Sequence, residues 1–317
     1  MSAVPFLQIL PAGIYCAAGD FYLDAQEPVA RAVITHAHAD HAVSGHGEVF
    51  CTRPTAAFMQ LRYGRTSAKK YSEKGFGDTF RLGEVKLSFI PAGHMLGSAQ
   101  VLMQHGGITY LFTGDFKLQA DPSCEPYTFA RADVLITEST FAHPEFIHPD
   151  PETEIRKLNA DDSNVLLGAY SLGKAQRLSA LIAQYCPQRT VLLHHRIHPY
   201  HQLYAKMGGE TGTCQLYNRK AMKNTRNQVY IVPPFTFESY RQAKEVKRIF
   251  ATGWKARQAG NDAQLYISDH ADWPDLLRMI GETAPQEIWT HHGSGAALAR
   301  HFAGQLRVTE LKNLRLG

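Results

Sequence analysis

A histidine-rich heptapeptide constrains this chain more than any other feature of its sequence. Residues 35–41 read THAHADH and follow a short apolar segment that predicts a strand. The polar side chains cannot all serve packing, because each buried polar group without a partner costs about 1–3 kcal/mol. Imidazole nitrogens and carboxylate oxygens suit Zn²⁺ or Mn²⁺. The spacing predicts that His36 and His38 bind one cation and that Asp40 and His41 bind a second.

Three further candidate ligands also follow predicted strands. His94 lies in the glycine-containing segment 91–98, which reads PAGHMLGS, while Asp115 and His292 each come shortly after an apolar strand. Singly, each of them could be an ordinary turn residue. Together with the heptapeptide they supply enough nitrogen and oxygen ligands for a site that holds two metal ions.

The composition excludes several classes of protein. With 44% hydrophobic and 20% charged residues in 317, the chain can bury one large core or two smaller ones, so disorder and coiled coil are excluded. No apolar run reaches the roughly 18–20 residues of a membrane helix, and no basic residue precedes Arg31, so a signal peptide is not predicted. We therefore expect a cytoplasmic protein. The five cysteines contain no Cys-x-x-Cys pair and are expected to be reduced.

The charge is distributed unevenly along the chain. Residues 174–257 contain 15 lysines and arginines against three acidic residues, whereas the remainder has 18 against 26. Such asymmetry suggests two structural units, of which the basic one faces a polyanion; the alternative is a solvated lysine-rich surface.

The pattern of predicted elements changes along the chain in the same way. The first 140 residues read as short strands joined by turns, whereas strands and helices alternate from about residue 165. Predicted helices cover 174–185 and 237–250, and a further strand is predicted at 264–268. Alternating strands and helices are typical of a parallel α/β unit.

The order of the candidate ligands resembles that of the metallo-β-lactamase superfamily, and Asp24 matches the acid that precedes its histidine motif. The resemblance implies an αββα sandwich with the metals at one edge. It also implies that Asp24 orients a ligand imidazole. Two ligand sets bridged by Asp115 are implied, namely His36, His38 and His94 for one ion and Asp40, His41 and His292 for the other.

Three more segments resemble motifs of the β-CASP branch of this superfamily, whose members cut DNA or RNA. They are 137–140 (TEST), 268–272 (SDHAD) and the His292-Gly293 pair. The resemblance implies an α/β fold with an inserted cap, in the order residues 1–150 for the first part of the sandwich, 151–262 for a basic α/β β-CASP cap and 263–317 for the second part of the sandwich.

Within that branch, segment 169–174 (AYSLGK) resembles the cap motif of the DNA crosslink-repair exonucleases. The whole chain, including the Gly253-Trp254 pair, is most similar to the bacterial ligase-associated DNA exonucleases. This similarity implies a 5′ to 3′ DNA exonuclease that acts in repair on single-stranded or 5′-ended duplex DNA. It also implies a functional link to a DNA ligase or helicase. The alternatives are an RNA-processing nuclease with the same metal centre, a small-ester or thioester hydrolase, and a catalytically silent nucleic-acid-binding module.

The resemblance also implies how such an enzyme would work. A metal-bound hydroxide attacks the phosphodiester, with Zn²⁺ as the expected metal and Mn²⁺ or Fe²⁺ as alternatives. Asp40, His270 and Glu138 are the implied catalytic residues, His270 donating a proton to the leaving 3′-oxygen while Glu138 orients it. The segment around 170–174 joins a predicted strand to a helix; this turn could cradle a 5′-phosphate or be an ordinary turn. The expected phosphate-binding residues are Ser139, Thr140, Tyr170, Ser171, Gly173 and Lys174.

Overall fold

The computed structural model describes residues 6–218 and 225–313. Within these residues the chain forms two compact units. Unit 1 contains the chain up to Ala120, Glu125–Ile147 and the chain from His270 onward; unit 2 contains Asp121–Cys124 and His148–Asp269. The α-helices of the described residues are α1 (Arg53–Tyr63), α2 (Pro151–Arg156), α3 (Lys174–Tyr185), α4 (His198–Lys206), α5 (Pro234–Ser239), α6 (Trp273–Thr283) and α7 (Ala296–His301).

Unit 1 contains two β-sheets. The strands of the first follow one another in chain order: β1 (Leu7–Leu10), β2 (Gly13–Cys16), β3 (Phe21–Leu23), β4 (Arg31–Val33), β5 (His46–Cys51) and β6 (Ala68–Glu73). The second has the spatial order β18-β17-β11-β10-β9-β8-β7. Its strands are β7 (Thr79–Leu82), β8 (Val85–Pro91), β9 (Ala99–His105), β10 (Ile108–Phe112), β11 (Val134–Ser139), β17 (Glu287–Gly293) and β18 (Arg307–Glu310).

The two sheets of unit 1 pack against each other and share a core. Because alternate side chains of a strand point to opposite faces, the strands of the second sheet contribute to two different clusters. Phe112 and Ile136 of the second sheet lie in one cluster with Phe21 of the first. The residues next to them in sequence, such as Leu111, lie in a different cluster with Leu276 of α6. Unit 1 is therefore an α/β sandwich in which helices cover a sheet.

Unit 2 is built on a parallel sheet with the spatial order β14-β13-β15-β12-β16. These strands are β12 (Asn164–Gly168), β13 (Thr190–Leu193), β14 (Cys214–Leu216), β15 (Gln228–Val232) and β16 (Val246–Phe250). The sheet carries an apolar cluster on each face, one containing Leu178 of α3 and the other containing Phe237 of α5. The predicted parallel α/β pattern of this region is therefore present.

Two element predictions in unit 2 are wrong. Residues 237–250 do not form one helix: α5 ends at Ser239, and 246–250 form the edge strand β16, which pairs with β12. Glu245 has a φ of 61°, which is incompatible with a continuous helix. The strand predicted at 264–268 is reduced to a single bridge between Ala251 and Leu265.

None of the helices in the described part of the chain has the length and apolarity that crossing a membrane requires. All five cysteines are free, as the sequence predicts.

We expect the stability of unit 2 to fall in acid because of a buried histidine in α4. Burial lowers the pKa of His201 from 6.5 to about 4, so the unfolded chain binds this proton more tightly than the folded protein does. Stability is then lost as the pH falls from about 6.5 towards 4, by up to about 3 kcal/mol. Chemical denaturation of His201→Gln at several pH values should show a shallower acid loss than wild type. The exposed neighbour His195 is the control; equal slopes for wild type and His201→Gln would contradict the prediction.

Candidate metal centre

Three imidazole nitrogens from two loops of unit 1 converge. His36 and His38 lie on the turn after β4, and His94 lies after β8. His38 Nδ1 is 3.1 Å from His36 Nε2 and 3.0 Å from His94 Nε2. His36 and His94 are buried. Ligands about 2.0–2.1 Å from a tetrahedral zinc ion are spaced by about 3.4 Å, so this cluster has the dimensions of a metal site.

The loop that carries His94 is fixed by contacts that sequence reasoning missed. Ser98 Oγ accepts hydrogen bonds from the backbone N–H groups of His94 and Met95, both at 3.1 Å. The buried Lys117 ammonium donates to the carbonyl oxygens of Gly93 and His94. Gly93 has a φ of 70°, and a Cβ there would lie 2.5 Å from Lys117 O, so only glycine fits. Ser98 was inside the motif, but nothing in the sequence singled out Lys117.

Asp115 lies in the middle of the histidines, on the loop after β10. Its Oδ2 atom faces four imidazoles, at 3.3 Å from His41 Nε2, 3.6 Å from His36 Nε2, 3.8 Å from His94 Nε2 and 3.9 Å from His270 Nδ1. The structure therefore brings Asp115 together with both histidine groups of the predicted site. A cation held by either histidine group would therefore also be within reach of the Asp115 carboxylate.

Burial and charge set the protonation of these groups. Burial, with the nearby His41 and His94, holds the pKa of His36 well below its usual value, so its imidazole is neutral and offers a lone pair. Burial also opposes charge on His41 and Asp115, but their mutual attraction outweighs it. The pKa of His41 is thus raised well above its usual value and that of Asp115 lies well below it.

Asp24 holds the loop that carries the histidines through hydrogen bonds to Thr35 and His41. Its Oδ1 accepts the backbone N–H of Thr35 at 2.7 Å, and its Oδ2 accepts the Thr35 hydroxyl at 2.6 Å. The same Oδ2 is 2.8 Å from His41 Nδ1, while Thr35 Oγ1 is 3.0 Å from His36 Nδ1. Asp24 thus orients one imidazole directly and the other through Thr35, a residue that sequence reasoning had not assigned a role.

The remaining two predicted ligands lie at the rim of the cluster. The Asp40 side chain is 70% exposed, and its Oδ2 is 3.9 Å from His41 Nε2. The His292 ring centroid is 4.9 Å from that of His41. His292 lies within β17 and has a φ of 48°; the pairing of β17 with β11 passes over it, from Glu138–His291 to Ser139–Gly293. The preceding His291 instead stacks on Phe112, with ring centroids 5.1 Å apart.

Glu138 and His270 form a pair beside Asp115. His270 Nδ1 is 2.7 Å from Glu138 Oε2, which also accepts the Thr140 hydroxyl at 2.7 Å. Glu138 Oε1 accepts the backbone N–H of Phe116 at 2.8 Å. The carboxylate is buried, whereas the His270 side chain is 28% exposed. The pair can therefore hold a proton on an imidazole that is still partly open to solvent.

Several of the predicted phosphate-binding residues already make hydrogen bonds within the protein. In unit 1, the Ser139 hydroxyl donates to His291 O at 3.0 Å. In unit 2, the Gly173 N–H donates to Gln176 Oε1 at 2.8 Å, while Ser171 O accepts from Gln176 Nε2 at 3.1 Å.

Lys174 and Tyr170 differ sharply in exposure. Lys174 is buried in unit 2, where its ammonium donates to Ile267 O at 2.6 Å and lies 3.1 Å from Asp269 Oδ1. This placement does not support the predicted phosphate contact at Lys174, because the ammonium already has partners within the unit. Tyr170 is 50% exposed.

The donor set fits divalent metal ions. His41 Nε2 is buried and faces carboxylate oxygens of Asp115 at 3.3 Å and of Asp40 at 3.9 Å, so a cation held at this nitrogen would also meet two carboxylates. Three overlapping groups have ligand atoms within 4.8 Å of one another: His36, His38, His94 and Asp115; Asp24, His36 and His41; and Asp115, Glu138 and His270.

Sequence comparison finds relatives of three kinds. A probable DNA ligase of Opitutus terrae is 34% identical over 96% of this chain and 30% of its own length. Endoribonuclease YSH1 of Gibberella zeae is 30% identical over 48% of this chain and 23% of its own length. An RNase J-like protein of Methanocaldococcus jannaschii is 28% identical, covering 48% of this chain and 43% of its own length. The resemblance to β-CASP nucleases of the metallo-β-lactamase superfamily is confirmed.

The chain spans less than half the length of these β-CASP and ligase relatives. No family model matches it. A crystal structure of a protein of unknown function from Enterococcus faecalis has a TM-score of 0.61 over 89% of this chain and 79% of that one, at 14% identity. At that identity the likeness concerns the fold alone.

Proposed function

We propose that this chain is a metal-dependent phosphodiester hydrolase of the β-CASP type, a cytoplasmic 5′ to 3′ exonuclease that acts on DNA in repair. The observation that carries the proposal is the convergence of the His36, His38 and His94 nitrogens beside the Asp115 carboxylate. Three imidazoles packed together, two of them buried, have no packing role that would offset their desolvation, whereas they suit a cation.

Two divalent cations, Zn²⁺ or alternatively Mn²⁺ or Fe²⁺, are proposed to bind here. His36, His38 and His94 would hold one, and Asp40, His41 and His292 the other, with Asp115 between them. When bound, such ions supply a nucleophilic water at neutral pH and offset charge on the phosphate oxygens.

His270 is proposed to protonate the leaving group, and Glu138 is proposed to orient His270. The Glu138 carboxylate accepts from His270 Nδ1, which fixes the tautomer and orientation of the ring. With the ring so oriented, its Nε2 would give a proton to the leaving 3′-oxygen. Thr140 and the Phe116 N–H keep Glu138 in place through both of its oxygens.

The β-CASP cap is proposed to be residues 151–262, which lie within unit 2, with the sandwich segments 1–150 and 263–317 before and after it in the chain. Its basic segment 174–257 suits a polyanionic substrate. The match of nearly the whole chain to part of a protein named a probable DNA ligase supports DNA as substrate and a functional link to ligation. The endoribonuclease relatives favour a second candidate, an RNA-processing nuclease.

Matched oligonucleotides test this assignment. One sequence is made as DNA and as RNA, labelled at the 3′ end, with and without a 5′-phosphate, and followed over time. We expect a ladder that shortens from the 5′ end of the DNA. Preference for RNA, or internal cuts, would replace the proposal by the RNA-processing alternative, and cleavage of neither would leave hydrolysis of small esters or thioesters to be tested.

Loss of Asp24 should weaken metal binding without removing a metal ligand. Asp24→Ala removes the carboxylate that contacts His41 Nδ1. Loss of a group that hydrogen-bonds a metal-ligating histidine typically weakens metal affinity about 10–100-fold. The affinity is measured by competition with a chromogenic chelator. Asp20→Ala, which removes a largely exposed carboxylate, is the control, and equal affinity in all three proteins would contradict the assignment of Asp24.

A further inference from the structure

Unit 2 carries an unusual set of exposed aromatic residues. Among the described residues of the whole chain, the exposed Phe, Tyr and Trp side chains are Tyr170, Phe235, Tyr240 and Trp254, and all four lie in this unit. Phe235 is 89% exposed and Tyr170 is 50% exposed. By contrast Phe237 of the same helix is buried in an apolar cluster, so the exposure of Phe235 is not a general property of α5.

Three of these residues follow three neighbouring strands. Tyr170 comes after β12, Phe235 after β15 and Trp254 after β16, and β12 lies between the other two strands in the sheet. The strand ends are aligned, because Gly168 pairs with Val232 on one side and with Phe250 on the other. Neighbouring strands are about 4.8 Å apart, so the three loops leave the carboxyl edge of the sheet side by side.

A side-chain contact links two of these loops. Arg257 Nη1 lies 3.1 Å from the Tyr170 hydroxyl, which joins the loop after β16 to the loop after β12. Lys255 and Arg257 are both exposed, next to Trp254 in sequence. Exposed aromatic faces therefore occur with cations at the carboxyl edge of a parallel sheet, which is the edge where open α/β sheets bind ligands.

We propose that Tyr170, Phe235 and Trp254 form a stacking surface for the unpaired bases of single-stranded DNA. Every base has an apolar face, so aromatic side chains bind a strand without selecting its sequence, while cations between them meet its phosphates. Lys255 and Arg257 supply those cations, and the excess of basic residues over 174–257 supplies the attraction at longer range. The inference rests on the proposed function and specifies the strandedness of its substrate.

The test measures binding rather than cleavage. The full chain is kept in a chelator, and its affinity for a short oligothymidylate is compared with that for a base-free deoxyribose-phosphate strand of equal length and charge. We expect the base-free strand to bind at least about 10-fold more weakly, because it keeps the phosphates and loses the stacking. Tryptophan fluorescence should be quenched by oligothymidylate, since Trp273 and Trp289 are buried and Trp254 is the exposed tryptophan.

Variants then assign the effect to the three residues. Phe235→Ala and Tyr170→Ala are each expected to weaken oligothymidylate binding about 5- to 100-fold and to leave binding of the base-free strand unchanged. Trp254→Phe should keep most of the affinity and lose the quenching. Leu216→Ala is the matched control, because Leu216 is as exposed as Tyr170, at 50%, and lies on the other edge strand of the sheet.

Leu216→Ala is expected to bind oligothymidylate as tightly as wild type does. Equal affinity of the wild type for oligothymidylate and the base-free strand, or aromatic variants whose affinity equals that of Leu216→Ala, would contradict the proposed stacking surface. A parallel cleavage assay with metal restored separates the two possible failures. If oligonucleotides are cut while binding ignores the bases, the stacking surface is wrong and the nuclease proposal stands. If the protein neither binds nor cuts any oligonucleotide, both are wrong.

Discussion

Replacement of Asp115 by asparagine is expected to lower the rate of phosphodiester cleavage by more than about 1,000-fold. The side chain keeps its shape, but the carboxylate that faces His36, His41 and His94 loses its charge. Without this charge the site would hold divalent cations less tightly, and loss of several kcal/mol of transition-state stabilisation corresponds to factors of this size. The bound metal per protein, measured by elemental analysis, should fall together with the rate.

The control for this prediction is Glu84→Gln, which removes one exposed carboxylate from the loop between β7 and β8 of the same unit. It should keep both rate and metal content. Wild-type turnover by Asp115→Asn at an unchanged metal content would remove Asp115 from the proposed centre.

Replacement of Arg177 by methionine should lower the free energy of unfolding by about 3–5 kcal/mol, because it removes a buried cation that two buried carboxylates share. The Arg177 side chain is 1% exposed. Its Nη1 donates to Ser268 O and lies 3.2 Å from Asp269 Oδ1, and its Nε is 3.6 Å from Asp121 Oδ2. After the substitution, Asp121 and Asp269 remain buried with one cation fewer between them.

Arg241→Met is the matched control within unit 2. Arg241 pairs with Glu238 at 2.5 Å, but its side chain is 75% exposed, and surface pairs contribute about 0–1 kcal/mol. Denaturant unfolding of both variants measures the difference. An equal, small loss for Arg177→Met would mean that the buried ion pairs do not stabilise unit 2.

Elements with a simple local pattern could be predicted from the sequence. Strand β8 (Val85–Pro91) is one of the short strands that the first 140 residues predict, because its apolar residues alternate and a proline ends it. Helix α3 has the predicted bounds 174–185. The segment 246–250 was misassigned because a short apolar stretch fits either element, and its strand character depends on pairing with β12.

In the candidate site, too, residues within a local sequence pattern could be predicted, whereas residues that act through contacts made by the fold could not. The residues that stand in a dense polar motif after a strand, such as His36 and His38, could be singled out from sequence because that pattern has few other uses. Thr35 and Lys117 could not, since they act through hydrogen bonds to backbone atoms and to side chains that the fold brings near. The burial of Lys174 was equally hidden, because it depends on Ile267 and Asp269, far along the chain.

Reloading of metal-stripped protein shows whether cleavage depends on cations held by this site. Wild type and Asp115→Asn are freed of metal with a chelator, dialysed, and supplied with Zn²⁺ or Mn²⁺ in steps while the turnover of a labelled oligonucleotide is recorded. We expect no turnover by the stripped wild type, recovery that saturates near two ions per chain, and no recovery by Asp115→Asn. Full turnover by the stripped wild type, or equal recovery in both proteins, would contradict this expectation.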